Sequence, residues 1–269
     1  MKKSKSDFIL ESIINTYLNE QNPVGSLVLE EHLSVPASTI RVYFKKLGEL
    51  GFLDKLHISG GRIPTQKAMK YYWSEFFEIL LDSGFMVNIQ NENFLNHICY
   101  EYEFFCMVKE EKELILKDIY NINDKFLVLD FGGSELAIRF DRELSALLVR
   151  FIGLEVKDLQ KFLQSVKIES LTKKIDEMLR SLVLFRANEK IAANLNLGLS
   201  LNEVLFSFYD FVDSVEFDMF YDNQMAIKLP CTYQGKNAKI LLAGSVYNDY
   251  KKILNIIKEA VWVSSKKKN

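Results

Sequence analysis

The stretch PVGSLVLEEHLSVPASTIRVYFKKLGELGFLDKLHISGGRIPT, Pro23–Thr65, decides the fold. Read in order, it gives a short helix that Ser26 can cap, a turn at Ser34-Val35-Pro36, and a longer helix from Ala37 to about Leu50. Gly51 ends that helix as a C-cap, and Phe52-Leu53 starts a strand. Ser59-Gly60-Gly61 then supplies a tight hairpin turn whose glycines are expected at positive φ, with Arg62 directly beyond it. This is the order of parts in a winged helix-turn-helix, which sets one helix in the DNA major groove and a β-hairpin beside it.

On a helical wheel Ile40, Tyr43, Phe44, Leu47 and Leu50 share the core side of the longer helix. Ser38, Arg41, Val42, Lys45 and Glu49 lie opposite, with Lys46 on the flank. Hydroxyl, guanidinium and ammonium groups on one outward face suit base edges and phosphates. The candidate DNA contacts are therefore Ser38, Thr39, Arg41, Val42, Lys45 and Lys46 on the helix, and His57, Ser59, Gly60, Gly61 and Arg62 on the hairpin. Before this stretch, apolar pairs at Ile9/Leu10, Ile13/Ile14 and Tyr17/Leu18 mark a helix from Asp7 to about Asn19. After it, Thr65 can cap a fourth helix running to about Leu81.

The full chain of 269 residues has a net charge of −2, distributed unevenly. Met1–Trp73 carries ten Lys and Arg against seven Asp and Glu, so the remainder is acidic. A basic head keeps attraction to DNA local. No apolar run is long enough to span a bilayer, and the N-terminus lacks the features of a signal peptide. Cys99, Cys106 and Cys231 form no CxxC pair, which fits buried thiols in a reducing cytoplasm. His32, His57 and His97 are scattered, and no GxSxG, HExxH or glycine-rich nucleotide loop occurs, so neither an enzyme, a metal site nor a cofactor is expected.

Beyond Asp82 the pattern becomes strand-like at Glu103–Val108, Leu114–Tyr120, Phe126–Asp130 and Glu135–Phe140, with a hairpin at Gly132-Gly133. Asp130-Phe131-Gly132 reads as part of that turn. Two amphipathic helices follow, through Leu171, Ile175, Met178, Leu179 and Leu182 and through Leu201, Val204, Leu205, Phe208 and Val212. Strands resume at Glu216–Tyr221, Met225–Leu229 and Lys239–Ala243, before a last helix from Tyr250 to Val263.

PVGS, STIR, ELGFL and HISGGRIPT, in this order and spacing, resemble the N-terminal signature of the heat-inducible transcription repressors of the HrcA family. A fainter likeness lies at CTYQGK (Cys231–Lys236) and AGSVYNDYKKI (Ala243–Ile253). Val42 and Tyr43 stand where the family usually has Asn-Asp, and Pro36 replaces a serine at the helix start, leaving Ser34 to cap. The resemblance implies an α+β chain: a winged helix-turn-helix over residues 1–74, then a GAF-like domain over 75–168 and 216–269, interrupted by a helical dimerising insertion over 169–215. It further implies a cytoplasmic homodimer that binds double-stranded operator DNA of the inverted-repeat CIRCE type and is modulated by the chaperonin GroEL. The stripe Leu201, Val204, Leu205, Phe208 and Val212 is the expected dimer contact, because the head's own apolar stripes are consumed by its core. The alternative is a regulator whose GAF-like domain binds a small metabolite.

Overall fold

The computed structural model describes residues 4–55, 60–193, 214–218 and 222–266. His57, Ser59 and the expected dimer stripe Leu201, Val204, Leu205, Phe208 and Val212 lie outside them. In chain order the elements begin with α1 (Lys5–Glu20), α2 (Ser26–Leu33), α3 (Ala37–Glu49), β1 (Leu53–Asp54), β2 (Ile63–Pro64) and α4 (Gln66–Asp82). Next come β3 (Val87–Ile89), α5 (Glu92–Glu101), β4 (Phe104–Glu110), β5 (Asp118–Ile122), β6 (Phe126–Asp130) and β7 (Glu135–Arg139). They are followed by α6 (Arg142–Leu148), α7 (Val156–Ser165), α8 (Glu169–Arg180), β8 (Val183–Ala187) and α9 (Glu189–Ala193). The last are β9 (Val215–Phe217), β10 (Gln224–Tyr233), β11 (Lys236–Ser245) and α10 (Tyr250–Lys266). Helices thus come first and sheets after, in a mixed α+β chain. Contacts divide it into two units: Met1–Met107, Arg186–Gly235 and Ile240–Asn269 in one, Val108–Phe185 and Lys236–Lys239 in the other.

In the first unit, α1 starts from a capping box between Ser4 and Asp7 and buries Ile9, Leu10, Ile13, Ile14 and Leu18. The expected serine caps of α2 and α3 are absent. Gly25 holds the N-cap position of α2, and Ser34 is its left-handed C-cap. The first amide of α3, on Ala37, donates instead to Glu30 Oε1 of α2 at 3.0 Å. With Pro36 at the N-cap position, a carboxylate from the neighbouring helix takes the place of a serine and also suits the helix dipole. The other end of α3 closes as expected: Gly51 has φ 74°, and Gly51 and Phe52 donate to the carbonyls of Gly48 and Leu47, both at 2.9 Å. Leu50, placed on the core side by the wheel, is 48% exposed because α3 ends at Glu49. Thr65 caps α4 as expected, accepting from the Ala68 amide, while its hydroxyl donates to the Gly51 carbonyl at 2.8 Å.

Trp73 of α4 is fully buried. Its indole N–H donates to the carbonyl of Val246 at 2.7 Å, and its ring meets Tyr250 edge-on at 5.3 Å. Nearer the start of α4, Gln66 donates to Asp218 at 2.8 Å and Lys70 forms an ion pair with the same carboxylate. Tyr247 reaches the Pro64 carbonyl with its hydroxyl at 3.5 Å. The segment Ala243–Ile253 thus forms part of the seat of α4.

Among the described residues, β3, β10, β11, β4 and β8 form one sheet in that order, with β9 also beside β10. β3 runs parallel to β10 at Cys231–Tyr233 and β9 antiparallel at Met225–Ile227, so the two short strands share one edge of β10 at opposite ends. β4 is buried continuously from Phe104 to Lys109, the pattern of a strand covered on both faces.

In the second unit, β5, β6 and β7 make an antiparallel sheet. Its inner face packs Leu127, Leu129, Leu136 and Ile138 into one core with Val156, Leu159 and Leu163 of α7 and Leu171 and Ile175 of α8. Its other face leaves Tyr120, Ile122 and Phe126 between 46% and 49% exposed. Gly132 and Gly133 turn the β6–β7 hairpin at φ 75° and 105°, with the Asp130 carboxylate accepting from the Gly132 amide. Asp130-Phe131-Gly132 is therefore turn architecture.

Several boundaries differ from expectation. The helix drawn through Leu182 stops at Arg180, and Val183–Ala187, assigned to a helical insertion, is a strand. The strand expected from Leu114 begins at Asp118, and the last helix continues past Val263 to Lys266. α5 and α7, unforeseen, rest on short stripes at Leu95, Ile98 and Cys99 and at Val156, Leu159 and Leu163.

Replacing Trp73 with Phe would keep most of the buried ring and leave the Val246 carbonyl without its donor. The expected cost is about 1–3 kcal/mol, read as a lower urea midpoint with an unchanged slope.

Candidate nucleic-acid interface

The outward face of α3 carries exposed Ser38, Arg41, Val42, Lys45 and Lys46, with Thr39 half-buried beside them. Ile40, Phe44 and Leu47 are buried on the opposite side and pin the helix. Val42 is 68% exposed, an apolar group suited to a thymine methyl. Arg41 Nε donates to Ser26 Oγ of α2 at 3.1 Å. That bond braces the stem of the guanidinium, and its terminal amino groups keep no partner among the described residues. Lys45 meets Glu49 at 3.9 Å, with both side chains mostly exposed, a pair weak enough for a phosphate to displace. Lys46 has no side-chain partner among the described residues.

Beside α3 stands the ribbon of β1 and β2, paired Leu53 to Pro64 and Asp54 to Ile63. A third strand segment joins it: Val24 and Arg62 exchange backbone hydrogen bonds, both 2.8 Å, in an antiparallel bridge. Gly61 is needed here for a reason the sequence did not disclose. It is not at positive φ; a Cβ on it would lie 2.6 Å from the backbone C and O of Pro23. The requirement is close approach of two backbones, not left-handed freedom.

Arg62 was expected to project toward DNA. Its guanidinium lies over the Phe44 ring at 5.6 Å from the centroid and donates to the Gly60 carbonyl at 3.4 Å, so it packs the ribbon on α3. Gly60 is exposed. The wheel and the turn located most of these residues, but missed Ser26 as the brace of Arg41 and Glu30 as the cap of α3. Lys55, exposed just after β1, is a further cation on the ribbon that motif reading passed over.

Among the described residues no group of three or more His, Cys, Asp or Glu side chains is arranged to hold a metal ion. No helix of the described residues is long and apolar enough to cross a membrane.

A family model described as the HrcA C-terminal domain matches residues 73–261. A heat-inducible transcription repressor HrcA from Helicobacter pylori strain J99 is 27% identical over 259 residues, covering 92% of each chain. Another so named, from Chlamydia trachomatis serovar L2, is 48% identical over 73 residues, 26% of this chain and 19% of that protein. A crystal structure of a hypothetical protein aligns with 96% of this chain and 98% of its own at 17% identity, with a TM-score of 0.44.

Gly61→Ala tests the close approach. The added methyl must push the ribbon from Pro23 and Val24, at an expected cost of about 1–3 kcal/mol. Calorimetry should show a lower Tm; an unchanged Tm would mean that the backbones separate freely.

Proposed function

The chain belongs to the HrcA family of heat-inducible transcription repressors, and from that premise we propose that it represses chaperone operons by binding an inverted-repeat operator of the CIRCE type as a dimer, with the chaperonin GroEL modulating its activity. It is a transcription regulator and not an enzyme. On this reading α1–α3 with β1 and β2 form a winged helix-turn-helix, α3 lies in the major groove, and the larger sheet with its helices is GAF-like. The observation that carries it is the outward row of α3, where Ser26 braces Arg41 and Val42, Lys45 and Lys46 stand exposed. A face with hydrogen-bonding, apolar and cationic groups in register is what direct readout requires.

A two-fold operator calls for a two-fold protein. We place the inserted, dimerising unit at Val108–Phe185, which is compact by itself, in place of 169–215. Its exposed Tyr120, Ile122 and Phe126 supply an apolar face, and the stripe through Phe208 is the competing surface. A body that must pair to be active suits chaperonin control.

If Arg41 reads a base, Arg41→Ala should cost about 1–3 kcal/mol on operator DNA and relax specificity at one position per half-site. Lys45→Ala and Lys46→Ala should weaken all sequences alike and each lower the salt slope by about one. Titrations by fluorescence anisotropy at several salt concentrations separate these outcomes, and wild-type affinity in the Arg41 variant removes α3 from the groove.

Sedimentation distinguishes the pairing surfaces: Phe126→Glu yields a folded monomer if the sheet face pairs, and Phe208→Glu does so if the central stripe pairs. The monomer should also bind the operator more weakly without any loss of a DNA contact. After mild heating, adding chaperonin and nucleotide should restore operator binding; full recovery without chaperonin would remove that control.

A further inference from the structure

Outside the outward face of α3, the first unit has a cleft of ≈ 180 Å³ between α1 and α4. Leu10, Ile14, Phe76, Ile79 and Leu80 supply its apolar lining. An apolar cavity of roughly 150 Å³ accepts one benzene ring, so this cleft has room for a single-ring body. Its charged lining is predominantly acidic: the carboxylates of Asp7, Glu11 and Glu75 against the single ammonium of Lys251.

The cleft already holds one cation on aromatic walls. Lys251 Nζ lies 4.6 Å from the Tyr72 ring centroid and 4.9 Å from that of Phe76. At the other side, Tyr71 donates its hydroxyl to Glu75 Oε1 at 2.8 Å, and the second oxygen of Glu75 has no hydrogen-bond partner among the described residues. The field of the carboxylates is felt by both phenols. Tyr71 is pushed up to about 12, chiefly by its hydrogen bond to Glu75, with Asp7 adding to it. Tyr72 is raised by burial first and then by Glu11 and Asp249.

We propose that the cleft between α1 and α4 binds a small aryl-alkylammonium ion, its ring against Leu10, Ile14 and Leu80 and its ammonium between Glu75 and Asp7. Charge selects the class. Three carboxylates outnumber the one ammonium of Lys251, so the cleft favours a cation over an anion, and a neutral ring would gain the apolar contact alone. The cleft is formed by α1 and α4, which flank α2, α3 and the ribbon in sequence, together with Lys251 of α10, and in this pose the ligand bridges α1 and α4. The site stands independently of the operator reading.

The test titrates the full chain with 2-phenylethylamine, its neutral isostere 2-phenylethanol and the anion 3-phenylpropionate, by calorimetry and by saturation-transfer NMR. The amine should bind at least about fivefold tighter than the alcohol, the size of one partly exposed charge contact, and the anion not detectably. Glu75→Gln keeps the acceptor for Tyr71 and should erase most of that preference while leaving the alcohol unchanged. Leu80→Trp should fill the space and abolish both. Raising salt on the unmodified protein must shrink the amine's advantage, a readout that needs no variant to fold. Equal binding of amine and alcohol, an advantage insensitive to salt and to Glu75, or no binding of any of the three overturns the proposal.

Discussion

Two backbone hydrogen bonds between Val24 and Arg62 hold the ribbon against the approach to α2, and they form because Gly61 presents no side chain to Pro23. Much of the helix-ribbon region hangs on that contact. It fixes where α2 begins, which fixes Ser26, which in turn holds the stem of Arg41. Four residues further along α2, Glu30 closes the amino end of α3. Arg62 completes the ring by packing on Phe44 from the ribbon side. Two short motifs far apart in the sequence therefore act as one rigid piece, and the outward row of α3 inherits its orientation from it.

From this piece α4 carries the chain onward. Thr65 ties its first turn to the end of α3, Asp218 receives Gln66 and Lys70, and Trp73 is buried with its indole N–H on Val246. The contacts grade from exposed and polar near the ribbon to buried and aromatic further along. Stability should follow the same gradient, since half-exposed ion pairs contribute little and a buried, hydrogen-bonded indole contributes much.

The periodic signals in the sequence were legible because long amphipathic helices repeat their apolar residues: α1, α3 and α4 end within a few residues of where the pattern placed them. The hairpin glycines were legible too, though Gly61 for a different reason than its neighbours in sequence suggested. Caps supplied from another element were not. No local pattern indicates that Glu30 would serve Ala37, because the pairing depends on how two helices pack. Short elements such as β3 and α5 were missed for a related reason: a few buried residues carry no period until a sheet exists to bury them. Arg62 shows the same limit at the candidate site. Its position beside a turn suggested an outward reach, and only the folded chain brings the Phe44 ring beneath it.

The burial of Trp73 has a practical consequence for dividing this protein. A cut just after it would sever the helix-ribbon region from Val246, Tyr247 and Tyr250 and leave an indole, with its orphaned donor, on the surface of the fragment. Such a piece would be prone to self-association through that ring, and its oligomeric state would say little about the intact chain. A chimera meant to keep the native register would have to carry Ala243–Ile253 along with α4. The transferable part is thus discontinuous in sequence, and recombination at a single point near the end of α4 would not produce it.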